Sequence, residues 1–236
     1  MTEPQRLDKR VVALAQCSRR EAQQYVEGGW VRVDGVVVEQ PQFMVGGQAV
    51  DIDPAATLAP PEAATLILHK PVDCTVADAG ALVTPQTRWD ADPSGVRALH
   101  RHLTRLQPLL PMPARSSGVL VFSQDWRVVR RLTDDASRIE QEYVVEVAGE
   151  LAADGLARLN RPEHAGPYAQ PAMKVSWQSD GHLRFAFKRL QADTIPTMCA
   201  AIGLRVLGMK RLRVGRIPLA HLPCGQWRYL APGERI

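Results

Sequence analysis

Between Leu109 and Asp125 the chain reads LLPMPARSSGVLVFSQD, and this stretch leaves few folding options. Gly118-Val119-Leu120-Val121-Phe122 is an uncharged run of β-formers that ends at polar Ser123-Gln124-Asp125, which predicts a buried strand leaving into a loop. Pro111 and Pro113 predict a loop ahead of it. Immediately after it, Trp126 to Asp135 predicts an amphipathic helix, with Val128, Val129 and Leu132 inward and Arg127, Arg130 and Arg131 outward. Tyr143-Val144-Val145-Glu146-Val147 and Leu183-Arg184-Phe185-Ala186-Phe187 alternate as strands do, and Gly203 to Gly215 supplies a further strand.

Ahead of this sheet-forming half lies a stretch with a different pattern. Leu7, Val11, Leu14 and Ala15 recur at helical spacing, and a second helix runs from Arg19 to Glu27. Ser18 followed by Glu21 is a capping box that fixes its start, and Gly28-Gly29 stops it. Asp34-Gly35 between Trp30-Val31-Arg32-Val33 and Val36-Val37-Val38 is a two-residue hairpin turn. A last strand, Ala49 to Ile52, completes a small module. From Pro54 to Ala64 the chain is proline-rich and aperiodic, the signature of a linker. The expected organisation is therefore a module over 1–53, a linker over 54–64 and a second domain over 65–236.

At 236 residues, 45% hydrophobic and 23% charged, the chain has the composition of an ordinary globular protein with ample core. No apolar run approaches the roughly 20 residues that cross a bilayer. Met1 to Gln5 lacks a signal-peptide pattern, so no membrane association is expected and the cytoplasm is the default location. Cys17, Cys74, Cys199 and Cys224 lack Cys-x-x-Cys spacing, which argues against zinc and disulfides. A net charge of +4 permits a polyanionic partner without demanding one.

The module, with its Ser-Arg-Arg-Glu-Ala and Val-Arg-Val-Asp-Gly runs, resembles the RNA-binding domain first described in ribosomal small-subunit protein four. The second domain resembles the bacterial ribosomal-RNA pseudouridine synthases that carry such a module. Lys70-Pro71 matches the end of that family's Asn-Lys-Pro strand, and Pro171-Ala172-Met173-Lys174-Val175 resembles its Pro-Ala strand. Leu207 to Gly215 matches its Leu-x-Leu-Lys-Arg-x-Arg-Ile-Gly strand, and Leu219 to Leu230 its closing segment. The implied fold class is α+β: a small α/β RNA-binding module plus a mixed, largely antiparallel sheet domain of the pseudouridine synthase fold. The resemblance implies structured RNA, ribosomal RNA first, as partner, a monomer, and no cofactor.

It also assigns site residues. The family's active-site loop reads Gly-Arg-Leu-Asp, two residues, Ser/Thr-Glu-Gly and then the apolar strand, and its Asp is catalytic. Anchored on Gly118, Leu110-Pro111-Met112-Pro113 occupies the Gly-Arg-Leu-Asp positions, so the expected carboxylate is Pro113 and no catalytic residue is assigned. Tyr143 matches a tyrosine that stacks on the target base, and Gln141 replaces a lysine before it. Ala192 to Met198 stands where the family has Asn-Arg-Gln-Ile/Val-Arg-Arg-Met, an arginine or lysine of which pairs with the catalytic Asp; no arginine remains. The RNA contacts expected are Lys9, Arg10, Arg19, Arg20, Arg32, Lys70, Lys210, Arg211 and Arg213. Arg97, His100, Arg101, His102 and Arg105, within a helical patch over Val96 to Leu106, form a basic face, solvated on the first reading and RNA-facing on the alternative. Three functions stay open: an inactive RNA-binding homologue, a working synthase using another acid such as Asp90 or Asp125, and a protein-binding scaffold.

Overall fold

A computed structural model describes residues 3–58, 62–161, 173–188 and 190–236. Pro171 and Ala172, from the expected Pro-Ala strand start, lie outside the described residues, as do 59–61 of the expected linker. The chain divides into two compact units, one of Met1–Ala63 with Arg97–Thr104, the other of Ala64–Val96 with Arg105–Ile236.

The first unit runs β1 (Gln5–Arg6), α1 (Leu7–Ala15), α2 (Arg19–Glu27), β2 (Val31–Val33), β3 (Val36–Val37), β4 (Met44–Val45) and β5 (Val50–Ile52). The Ser18 hydroxyl accepts from the Glu21 amide while the Glu21 carboxylate accepts from the Ser18 amide, so α2 begins where the capping box placed it. Asp34 and Gly35 have φ of 49° and 80°, the left-handed pair a tight hairpin between β2 and β3 requires. Leu7, Val11, Ala22, Val26, Val31 and Val45 form the core. Arg97–Thr104 joins this unit through Arg97, which donates to the Gly29 carbonyl at 3.0 Å and Asp53 at 3.1 Å and lies 3.9 Å from the Trp30 ring centroid. The expected helical patch over Val96 to Leu106 is thereby corrected. Only a 3₁₀ turn at His100–Leu103 forms, and His102 is buried rather than part of a solvated face.

Asp8 is 1% exposed and accepts hydrogen bonds from Arg6, Arg19, Gln23 and the Lys9 amide. Burial pushes its carboxyl up, but these bonds outweigh burial and hold it below the ordinary 3.8. A depressed folded-state pKa adds stability that is present above the unfolded value and lost as pH falls through the folded one. Urea midpoints should therefore favour the wild type over Asp8→Asn at neutral pH, with the gap closing below about pH 4.

The second unit contains β6 (Thr65–Lys70), α3 (Val76–Ala81), β7 (Gln107–Leu109), β8 (Ser116–Ser123), α4 (Trp126–Thr133), β9 (Gln141–Gly149), α5 (Gly155–Leu159), β10 (Met173–Ser179), β11 (His182–Phe187), α6 (Ile195–Ala200), β12 (Leu204–Val214), β13 (Ile217–Pro218) and β14 (Trp227–Tyr229). Its main sheet has the order β10-β11-β9-β12-β8-β6-β14, with β13 on β12 and β7 on β8. Among the described strands the β12–β8 pairing is parallel and the others antiparallel. Buried clusters pack on the sheet. One gathers Tyr143, Val145, Phe185, Phe187, Ile195 and Met198; another gathers Ile67, Leu109, Val119, Val121, Leu132 and Val214.

The seam between the sheet halves depends on Gly118, which pairs with Arg211 at φ 114°. A Cβ there would stand 2.2 Å from the Arg211 carbonyl oxygen, a backbone atom unable to yield. Gly118→Ala should lower stability by about 3 kcal/mol or more, read from urea unfolding, because strain and overlap add. Among the described residues no helix is long and apolar enough to cross a membrane.

Candidate active-site cleft

β7 delivers the chain into a loop, 110–115, and β8 takes it away. Two buried cations hold that loop at its ends. Arg211, fully buried, donates from Nη1 to the Leu110 carbonyl at 2.9 Å and to Gln141 Oε1 at 3.0 Å, and from Nε to the Val119 carbonyl at 2.7 Å. Lys70, also fully buried, donates to the carbonyls of Ala114 at 3.0 Å, Cys74 at 2.7 Å and Pro71 at 2.8 Å. Between these anchors the Pro113 carbonyl accepts from the Ser116 amide at 3.0 Å and its hydroxyl at 2.7 Å. The loop is thus fixed by charge-assisted and backbone bonds independent of what residue 113 carries.

The loop forms one wall of a cleft of about 600 Å³. Leu110, Pro111, Met112 and Pro113 line that wall, Ala136, Ser137 and Gln141 a second, and Leu190, Gln191, Ala192 and Asp193 a third. Leu110 packs against one core and Ala192 belongs to the other, so the cleft opens where the two sheet halves meet. Asp193 is the sole acid lining the cleft among the described residues. It is exposed.

Arg211 is the electrostatic centre of this region. Among the described residues neither its Nη2 nor the Tyr143 hydroxyl makes a hydrogen bond of ordinary geometry, yet the two groups attract each other, the Tyr143 ring centroid lying 5.9 Å from the guanidinium carbon. Burial lowers the Arg211 pKa, and burial raises that of Tyr143 against the pull of Arg211. A guanidinium removed from water costs several kcal/mol unless a counter-charge is supplied. Arg211 instead rests on two carbonyls and an amide oxygen.

The expected site residues sort differently in space. Tyr143, expected to stack on a base, is 0% exposed and stacks on Phe187 at 5.6 Å within a core. Strand alternation carries it inward with Val145 and Val147. Lys70 and Arg211, expected to contact RNA, are buried and hold the loop. Arg213 is paired with Glu140 and, at 3.0 Å, with Glu142. The cation beneath the loop is Arg211 of β12, outside the Ala192 to Met198 run. Lys210 is exposed, as are Lys9, Arg19, Arg20 and Arg32, with Arg10 half-buried. Arg19 shares Asp8, and Arg32 donates to the Gly35 carbonyl. Asp125 caps α4 by accepting from the Arg127 amide at 2.8 Å, and neither it nor Asp90 lines the cleft. His69 is a buried strand end, its Nδ1 2.8 Å from the Leu222 carbonyl.

Comparison with known proteins gives this architecture a lineage. Residues 5–51 match the S4 domain family. Across 97% of the chain and 98% of the other protein, 32% of residues are identical to a ribosomal small subunit pseudouridine synthase A of Pseudomonas aeruginosa. The chain belongs to the RNA pseudouridine synthase family. An uncharacterized RNA pseudouridine synthase of Aquifex aeolicus is 26% identical over 97% of the chain and 94% of its own length. The dual-specificity RNA pseudouridine synthase RluF of Escherichia coli is 24% identical over 98% of the chain and 77% of its own length. A crystal structure of a pseudouridylate synthase shares the fold, with a TM-score of 0.59 at 17% identity over 96% of both chains. Within this pseudouridine synthase frame, Ala136, Ser137, Leu190 and Gln191 are cleft residues that no sequence motif marked, and Asp193 is one whose role no motif marked. The run Ala192 to Met198 was weighed for the arginines it lacks and not for the acid it contains.

Proposed function

We propose that this family member binds structured RNA of ribosomal type and receives a nucleotide at the cleft without isomerising it. Uridine isomerisation detaches the base at N1, turns it and reattaches it through C5, and in this family a single carboxylate serves as nucleophile or base. Pro113 offers no titratable or nucleophilic atom. One observation carries the reading: the loop remains anchored at Leu110 by Arg211 and at Ala114 by Lys70 while a pyrrolidine ring occupies the position the family motif gives to its acid. The scaffold is kept and the reagent is missing. RNA contact falls to the exposed cations Lys9, Arg19, Arg20 and Arg32 of the module over 1–53 and to Lys210, with half-buried Arg10 beside them. The setting that goes with this reading is a monomer in the cytoplasm.

The presence of Asp193 on the cleft wall favours a second reading, an active synthase with a displaced acid. Against it, Asp193 is exposed and has no ion pair with a described cation, whereas the chemistry calls for a carboxylate held out of water and charge-paired. Photocrosslinking with RNA carrying 4-thiouridine tests the binding half of the proposal. Crosslinks are expected in the segments Leu110–Arg115 or Gln191–Asp193. RNA binding with no crosslink in either segment would remove the cleft from the account.

A further inference from the structure

We infer that a second concavity of the sheet domain is a track for the RNA backbone that leads to the cleft, an inference that rests on the binding function proposed above. The groove has a volume of about 1020 Å³. Arg127 and Arg131 reach it from one face of α4, four residues apart, Arg138 from the 3₁₀ turn before β9, Lys188 from the end of β11, Arg216 from the turn after β12, and Arg235 from the segment after β14.

The acids that share the groove are already engaged. Asp125 caps α4, Glu140 is paired with Arg213, and Glu234 holds Arg228 at 2.7 Å. Arg138 has a loose partner in Asp135 at 3.7 Å. The remaining five cations, on four separate segments, have no ion pair with any described residue, so the groove carries a surplus of positive charge. Such a surplus costs self-repulsion unless a polyanion relieves it. A single phosphate would leave most of these groups untouched, whereas a strand with regularly spaced phosphates meets them in series.

Two further features select RNA over an acidic protein. Trp126, between groove residues Asp125 and Arg127, is 65% exposed with the Arg127 guanidinium carbon 5.7 Å from its ring centroid, so a cation and an aromatic surface on which an unpaired base can stack are presented together. The segment Ala136 to Gln141 also borders both cavities: Ala136, Ser137 and Gln141 line the cleft, while Arg138, Ile139 and Glu140 line the groove. A strand lying in the groove is therefore one short segment away from delivering a nucleotide to the cleft.

The test is filter binding of the full chain to a labelled RNA hairpin with a uridine-rich loop, from about 50 to about 200 mM salt. Replacing Arg127, Arg131, Arg216 and Arg235 together by Gln should flatten the log–log salt dependence by about 3, at ~0.7–0.9 per lost phosphate contact. Binding at the lower salt should weaken at least about tenfold. Arg158→Gln with Arg205→Gln, exposed and outside the groove, should leave both unchanged. Trp126→Ala should weaken binding without changing the slope, because stacking is not electrostatic. A quadruple variant with the wild-type slope overturns the inference, and if 4-thiouridine still crosslinks to the cleft the function proposed above survives that failure. Equal binding of polyglutamate and RNA by the wild type would also overturn it. All four substitutions lie at exposed side chains, and a native circular dichroism spectrum is required of the variant.

Discussion

Arg211→Ala should lower the stability of the sheet domain by about 3–5 kcal/mol, read from urea unfolding at neutral pH. The substitution strips donors from the Val119 and Leu110 carbonyls and from Gln141, and acceptors left bare in a dry site cost ~1–3 kcal/mol each. It also leaves a cavity at the seam of the two cores. Relief from burying a guanidinium without a carboxylate offsets part of this, which keeps the total below the sum. Arg211→Met separates the contributions, because Met fills most of the volume and supplies no donor. It should recover less than half of the loss. Full recovery would mean that the loop is held by packing, and the anchoring role of Arg211 would be lost.

The second large effect is on catalysis. Under identical conditions the chain should convert uridine in RNA at least ~10⁴-fold more slowly than a relative that keeps the carboxylate, since deleting a nucleophile typically costs that much. Binding and positioning do not compensate, because covalent attack needs a lone pair in the right place. Among the described residues the cleft wall supplies amides, apolar side chains, the Ser137 hydroxyl and one solvent-exposed acid, Asp193. Asp125 is committed to capping α4, and Asp90 does not reach the cleft.

Local devices were legible in the sequence because each is decided within a few residues. Ser18 with Glu21, and Asp34 with Gly35, specify their own geometry whatever surrounds them. The core strand from Gly118 to Phe122 and the fold class were likewise readable from pattern and motif. The roles of the cations were not. Lys210 and Arg211 are neighbours and were both expected to face RNA, yet a strand points alternate side chains to opposite faces, and Arg211 shares its face with buried Met209. The same alternation with Val145 and Val147 draws Tyr143 inward. Period two accounts for the burial of both side chains. Lys70 is different: β6 is buried along its whole length, and nothing in Thr65 to Lys70 announces that the carbonyls of Pro71 and Cys74, just ahead in the chain, and of the distant Ala114 converge on its amine. The stacking of Arg97 on Trp30 joins residues far apart in the chain, which no local pattern encodes.

The most direct measurement is tritium release from ribosomal RNA containing 5-tritiated uridine, with the protein in excess over RNA. Forming the C5 glycosidic bond expels the C5 hydrogen to water, so one turnover is one release. The expected result is no release above a protein-free blank, for the wild type and for Asp193→Asn alike. Release stoichiometric with the target uridine, abolished by Asp193→Asn, would contradict the account and make Asp193 the acid that Pro113 cannot be.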